Sequence, residues 1–392
     1  MRPVPAPAAD DLRARLARFA PSSEPDAVRV VRAPGRVNLI GEHTDYNLGF
    51  VLPMAIGLEI RVASAPRADR RVRIQFENDE LGEFDLDQIG PRSGTPIDYA
   101  AGVALELRRR NVPMRGVDAV LASSLPTAAG LSSSAALELA AAWTLVADVP
   151  PPLRPLELAL AGQAAENDYV GVRCGIMDQA AVTLGTAGSA VLLDCRSLAA
   201  EHVPVAIPAH RWVVIESGSQ RTLSDSAYNA RRAECDAAVA ALRRHDSAVE
   251  SLRDVDAAML DDYASTLDPV PLQRARHVVA ENQRVLDAAE ALRAGDAVSV
   301  GTLLNASHRS LRDLYEVSSA ELDALVEVAR SVDGVAGARL TGAGFGGSIV
   351  ALAGDASLEA LGARIRSVYE PGTGLRATLH AVDAVDGAGL VT

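Results

Sequence analysis

The 392-residue sequence predicts an α+β fold in two parts. Strand-like and helix-like segments are mixed in both halves instead of alternating as in a regular βαβ winding. Their character also changes along the chain: short strands and buried helices dominate to about residue 216, and long Ala/Leu/Arg/Glu-rich helices follow. A chain of this length accommodates about two or three domains. A boundary placed near 185–195 gives two, spanning 1–190 and 191–392.

A Pro/Ala-rich start leads into an amphipathic helix at 10–20. Residues 28–32 alternate as a strand and end at Ala33-Pro34-Gly35, which reads as a turn. Strands follow at 58–64, 72–76 and 117–122. Helical spacing marks 99–110, the apolar run 132–147 predicts a buried helix, and 155–168 predicts another opened by Pro155. After a small turn at 185–189 come strands at 190–195 and 211–216. The second half predicts helices at 226–246, 272–294, 296–314 and 319–331. Short strands at 335–341, 348–353 and 375–382 then flank a last helix at 357–369. No internal repeat and no low-complexity tract interrupts this order.

Composition excludes several functions. Formal net charge is −13, and an acidic surface repels phosphate backbones, so nucleic acid is not expected as a partner. The apolar run 139–147 is far too short to span a bilayer, and the N-terminus lacks a signal-peptide core. Cys174, Cys195 and Cys235 are too few and too scattered for a disulfide framework or a structural zinc site, which predicts a cytoplasmic protein. The chain contains no lysine. A Walker A loop, a protein-kinase fold and Schiff-base chemistry all require that amine. If the protein handles ATP, it binds phosphate by another design.

Three constellations carry chemistry. The run 35–46, GRVNLIGEHTDY, packs Arg36, Asn38, Glu42, His43 and Asp45 between apolar residues. Carboxylates accept bonds from sugar hydroxyls, and an arginine steadies charge on a phosphoryl group. A charged surface loop is the competing reading, weakened by Leu39-Ile40 and the apolar residues 50–53. The second run, PTAAGLSSSA at 126–135, leads into a helix. Helix-terminal amides bind phosphate without a lysine, small residues allow close approach, and a serine hydroxyl can ligate magnesium. Ordinary Ser capping explains one serine better than three. The third run, LTGAGFGGS at 340–348, holds four glycines in six positions. It implies positive φ or close backbone approach, with a hairpin turn equally open. Between these runs stand Glu166 and Asp178, an acid suited to magnesium and an acid suited to a hydroxyl proton. Tyr228 opens a helix where its ring could face a sugar.

These residues resemble the galactokinases of the GHMP small-molecule kinase superfamily. GRVNLIGEHTDYN at 35–47 is similar to that family's signature, GLSSSA at 130–135 to its phosphate loop, and LTGAGFGG at 340–347 to its third motif. AEN and CGIMDQ within 165–179, and SAYNARR at 226–232, keep the family's order, so the similarity runs from about 28 to 353. The resemblance implies a two-domain GHMP kinase fold, with an N-terminal part like the second domain of ribosomal protein S5 and a ferredoxin-like C-terminal part. It implies ATP and galactose as substrates, Mg2+ as cofactor, no nucleic-acid or membrane partner, and a monomer or weak homo-oligomer. Asp178 and Arg36 would be catalytic. Glu42, His43, Asp45, Gly175 and Tyr228 would contact the sugar, and Ser134 and Glu166 the metal. Ala128, Ala129, Gly130, Leu131, Ser132, Ser133, Ser134 and Tyr99 would surround ATP. Two positions depart from the family: Ala128 stands where glycine is frequent, and Pro96 where many members carry Trp on the adenine side. A kinase for N-acetylgalactosamine or arabinose, and a silent galactose sensor, are the alternatives. An intact 130–135 run, with Arg36, Glu166 and Asp178 present, argues against the sensor.

Overall fold

The computed structural model describes residues 6–21, 24–126, 129–219 and 224–391. The expected ATP-binding residue Ala128 lies outside the described residues.

Helix α1 (Ala9–Phe19) lays Leu12 and Leu16, one turn apart, against Val30, Ala63 and Val120 on the outer face of the first sheet. That sheet is built from β1 (Arg29–Asn38), β3 (Pro53–Pro66), β4 (Arg71–Gln75), β5 (Leu81–Asp85) and β6 (Val117–Ser123). A two-residue strand, β2 (Phe50–Val51), follows the loop after β1. The expected turn at Ala33-Pro34-Gly35 does not form. Strand β1 runs straight through it with a register shift between Pro34 and Gly35. A bulge tolerates a proline that cannot donate to the ladder. Glycine is required there for approach: a Cβ on Gly35 would fall 2.3 Å from Leu125 Cδ2 and 2.7 Å from the Leu131 carbonyl oxygen. Extending β1 through the bulge is what delivers Arg36 to the site.

Four helices lie on the inner side, α2 (Ile97–Arg109), α3 (Ser133–Leu145), α4 (Pro155–Ala164) and α5 (Met177–Leu184), with α4 packed on the other three. Their contacts are mostly alanine and leucine, so backbones approach closely and a core poor in aromatics still closes. Helix α4 widens into a π-helical turn, Ala165–Val170. Helix α5 escaped the sequence reading because it has only eight residues inside a motif. A small sheet joins β2 to β7 (Ser189–Asp194) and β8 (Ala200–Pro204). A division of the chain at residue 190 falls inside β7.

The second half contributes β9 (His210–Glu216), α6 (Ser224–Leu242), α7 (Ala257–Asp262), α8 (Pro269–Arg293), α9 (Ala297–Asp313), α10 (Ala320–Arg330), β10 (Val335–Thr341), β11 (Ser348–Gly354), α11 (Leu358–Arg364) and β12 (Thr378–Val382). The sheet order is β10-β11-β9-β12, antiparallel throughout. Helices between the first and second strands, a hairpin between the second and third, and a helix before the fourth give the ferredoxin-like arrangement. The glycine run 342–347 is the connection of the β10–β11 hairpin, with Thr341 opposite Ser348. The last strand, β13 (Gly389–Leu390), returns to pair with β1. No helix among the described residues is long and apolar enough to cross a membrane.

Candidate active site

A cavity of about 310 Å³ lies where the end of β1, the start of α3, the start of α5 and the start of α6 converge. Among the expected residues it is lined by Arg36, Glu42, His43, Asp45, Tyr99, Gly130, Ser132, Ser133, Ser134, Glu166, Gly175, Asp178 and Tyr228. Residues spread over 192 positions thus reach one cavity. The side chains of Ala129 and Leu131 do not reach it; both belong to the hydrophobic core, so only their main chain can serve a ligand.

Asp178 is the second residue of α5, where the partial positive charge of a helix N-terminus favours a carboxylate. Arg36 grips it through two bonds, Nε to Oδ1 at 2.7 Å and Nη2 to Oδ2 at 2.9 Å. Its remaining nitrogen, Nη1, donates to the Gly130 carbonyl at 2.7 Å. The Ser132 hydroxyl donates to Asp178 Oδ2 at 2.5 Å. Ser132 is the residue before α3 and lies at φ +60, yet its side chain caps nothing. The capping explanation for these serines therefore fails at Ser132. The amides of residues 133–135, the first turn of α3, keep no helical acceptor. The loop's carbonyls are tied elsewhere, Gly130 by Arg36 and Ala129 by the Ser348 hydroxyl at 2.7 Å. A helix N-terminus arranged this way suits an anion.

The loop after β1 is held both by its own bonds and from the second half of the chain. Arg339 of β10, fully buried, donates to the carbonyls of Asn38 and Leu39 and forms an ion pair with Glu42. Glu42 also accepts from Asn38 Nδ2 at 2.6 Å and the Gly342 amide at 2.8 Å. Burial nonetheless pushes its pKa up, because desolvation outweighs these partners. Helix α8 presents three residues to the same loop: His277 donates to the Glu42 carbonyl at 3.2 Å, Glu281 accepts from the Gly41 amide at 3.1 Å, and Asn282 accepts from the Phe50 amide at 2.9 Å.

Asp45 sits in a 3₁₀ turn, Asp45–Asn47. Burial first, and then the charge of Asp178, raise its pKa to about 6. Gly175 leaves it room, since a Cβ there would fall 1.8 Å from Asp45 Oδ2. His43 is held neutral by burial, its pKa lowered to about 3. The Tyr228 ring lies 5.7 Å from the His43 ring and 5.4 Å from that of Tyr46.

Glu166 stands in the π-helical turn after α4, a distortion frequent at functional sites. Its carboxylate accepts from Gln179 Nε2 at 2.8 Å and from the Cys174 thiol at 3.3 Å. Burial, then repulsion from Asp178, raise it to about 7. Behind it Glu138, buried in α3, accepts from the same Gln179 nitrogen and is raised further by burial and by Glu166. Ser134 and Glu166 are hard oxygen donors on one cavity, and a divalent cation between Glu166 and Asp178 would relieve their repulsion, so they fit Mg2+. Among the described residues no three His, Cys, Asp or Glu side chains are grouped to hold a metal unaided. Magnesium brought in on phosphate oxygens, with few protein ligands, suits that donor set.

Sequence reasoning missed Glu138, His277, Glu281, Asn282 and Arg339. Glu138 in an otherwise apolar helix and Arg339 in an otherwise apolar strand were visible anomalies. His277 and Glu281, four apart, share one face of α8 with buried Arg274 and Val285, and that periodicity was the available signal.

Three family profiles match the chain: a galactokinase galactose-binding signature over 17–66, a GHMP kinases N terminal domain over 98–186 and a GHMP kinases C terminal domain over 288–371. A galactokinase from a Roseiflexus species is 48% identical over 366 residues, covering 92% of this chain and 93% of that protein. One from Chloroflexus aggregans is 46% identical with the same coverage. Among solved structures, Lactococcus lactis galactokinase complexed with galactose superposes with a TM-score of 0.93 at 36% identity, covering 97% of this chain and 99% of that one. Mevalonate kinase from Methanococcus jannaschii, at 16% identity and a TM-score of 0.64 over 91% of this chain and 98% of its own, shares the fold alone.

Proposed function

This chain belongs to the galactokinase family of the GHMP kinases, and from that premise we propose that it transfers the γ-phosphoryl group of ATP to the anomeric hydroxyl of galactose, giving galactose 1-phosphate and ADP. The observation that supports it most is the bidentate Asp178–Arg36 pair, standing between a loop rich in sugar-hydroxyl partners and an uncapped helix N-terminus.

In this reading Glu42, His43, Asp45 and Tyr228 take the sugar hydroxyls, and Gly175 leaves space for Asp45. The amides at the start of α3 hold the phosphates, with Tyr99 beside the nucleotide. Asp178 accepts the proton from the attacking hydroxyl. Arg36, aimed by its bond to Gly130, keeps the carboxylate oriented and offsets negative charge on the transferring group. Holding both reactants in line supplies much of the rate, and fixed charge supplies most of the rest. Ser134 and Glu166 would hold Mg2+, which when bound neutralises charge on the phosphate oxygens. We place the enzyme in the cytoplasm, a reading supported by three free cysteines, and as a monomer or weak homo-oligomer.

A coupled ADP-release assay against galactose, glucose, arabinose and N-acetylgalactosamine tests the substrate. Turnover of another sugar instead of galactose rejects the assignment, and galactose binding without turnover points to a sensor. Asp178→Asn is expected to lower kcat by about 10²–10⁴-fold with galactose affinity by calorimetry largely kept. Turnover like that of the wild type removes Asp178 from the chemistry.

A further inference from the structure

His43 adopts φ +64, a conformation uncommon for a residue bearing a Cβ, and its two ring nitrogens face different partners. Nε2 lies 3.2 Å from the Ala343 carbonyl oxygen. A carbonyl only accepts, so Nε2 carries the hydrogen. The ring is neutral, its pKa pushed down to about 3 by burial, so Nδ1 is a bare acceptor. Opposite Nδ1 at 2.9 Å stands the Tyr46 hydroxyl, which must therefore donate to it.

The consequence propagates. With its proton committed, Tyr46 accepts from the Tyr315 hydroxyl at 2.6 Å. Tyr315 then accepts from the Cys235 thiol, whose sulfur is 3.2 Å away. Burial raises that thiol to about 11, so it keeps its proton. The two hydrogens of Asn47 Nδ2 close the circuit, one toward Cys235 Sγ at 3.7 Å and one to the His43 carbonyl at 2.8 Å. The donors and acceptors all run in one direction through the sugar loop, α6 and the turn after α9. The Tyr315 ring also packs against the His43 ring at a tilt of 34°, centroids 4.7 Å apart, so ring plane and proton position are set together.

We propose that Tyr46, backed by Tyr315 and Cys235, is a positioning residue that holds His43 as a hydrogen donor through Nε2 and so selects a sugar hydroxyl that accepts at that point. It rests on the reading of His43 as a sugar contact. Without the Tyr46 hydroxyl, Nδ1 loses its donor. A galactose hydroxyl arriving in place of the Ala343 carbonyl could then meet either tautomer.

The test is a cycle between Tyr46→Phe and the monodeoxy galactoses, each measured for KM and kcat at saturating MgATP. Tyr46→Phe is expected to raise the galactose KM about 3- to 10-fold, the worth of one neutral hydrogen bond, with kcat moved less. The analogue lacking the hydroxyl held by His43 should show no further loss in the variant, while the other analogues keep their penalties. A uniform rise across all analogues means packing alone and overturns the proposal. Tyr315→Phe should weaken the same analogue selectivity by a smaller factor; a change confined to other positions also overturns it. Nitrogen-15 spectra of the wild-type protein with galactose, His43 assigned by comparison with His43→Gln, need no folded Tyr46 variant. They should show Nε2 protonated and Nδ1 bare, and the reverse refutes the proposal outright. His43→Gln with an unchanged galactose KM would sink the sugar-contact reading itself, whatever tautomer the spectra report.

Discussion

Gly175→Ala is a one-methyl perturbation whose consequence can be worked from coordinates. The new Cβ would fall 1.8 Å from Asp45 Oδ2, 2.2 Å from its Cγ and 2.9 Å from its Cβ. Ordinary contact between such atoms is about 3.5–4.0 Å. Because the overlap reaches back to the Asp45 Cβ, rotating the carboxylate cannot relieve it, so Asp45 or the backbone around residue 175 must move. Displacing Asp45 forfeits its bonds from the Tyr46 and Met177 amides, each worth about 1.5–3 kcal/mol as a bond to a charged group. Losing one such bond's worth of positioning predicts a galactose KM about 10- to 100-fold higher, with the KM for ATP near that of the wild type because α3 and Tyr99 are untouched. Initial rates for Gly175→Ala, Asp45→Asn and the double variant decide the matter, with circular dichroism melts to confirm folding. If Gly175→Ala acts through Asp45, the double variant is no worse than the poorer single one. A wild-type galactose KM in Gly175→Ala, or fully additive losses, refutes the steric argument.

Asp45 also sets a pH dependence. Its folded pKa, raised from 3.8 to about 6, means the folded state binds the proton more tightly, so ionisation costs stability that grows as pH rises from about 4 to about 6 and stays constant above. Asp45→Asn should therefore raise the unfolding free energy of the ligand-free protein at pH 8, by up to about 3 kcal/mol, with the gain vanishing near pH 4 while galactose binding weakens; a lowered unfolding free energy at pH 8 contradicts it. Arg339→Met strands the buried Glu42 charge and should cost about 3–5 kcal/mol in denaturant unfolding at pH 8, less at low pH where Glu42 is protonated. Adding Glu42→Gln should recover much of that loss, and no recovery would show that the pair's charge is not what matters.

The sequence was most legible where periodicity and motif coincide. The long helices α8, α9 and α10 follow directly from apolar spacing, because each buries one face, and β11 follows from a continuous apolar run, because both its faces are buried. The elements missed, β2, β5, β8, β13, α5 and α7, are short, and a short segment fits too few periods to be told from a loop. Ala33-Pro34-Gly35 misled for a different reason: proline and glycine there answer to a bulge and a close approach of Leu125 and Leu131, which are tertiary facts. Within the candidate site, side chains facing the cavity lay in dense polar runs and could be read. Arg339, His277 and Glu281 stood out only as polar residues in apolar settings; that they hold the loop after β1 could not be read, because they reach it from 235 to 300 residues away and no local pattern encodes that pairing.

The charge in the cavity suggests why a chain without lysine still builds a phosphate site. Among the described residues lining it, Arg36 is the one cation, set against Glu42, Asp45, Glu166 and Asp178. Glu42 is answered from behind by Arg339 and Asp178 directly by Arg36. That leaves Asp45 and Glu166, each raised first by burial and next by the charge of Asp178. Both accept hydrogen bonds, but neither has an ion-pair partner among the described residues, and each is suited to one incoming partner. Under the proposed function, sugar hydroxyls would donate to Asp45, and a divalent cation carried on the nucleotide's phosphates would neutralise Glu166. A lysine fixed in the phosphate loop would have offset this repulsion permanently and so weakened the preference for cation-bound nucleotide. With the repulsion centred on Asp178, either partner would relieve part of what opposes the other, and under the proposed function the site would be electrostatically complete only with both present.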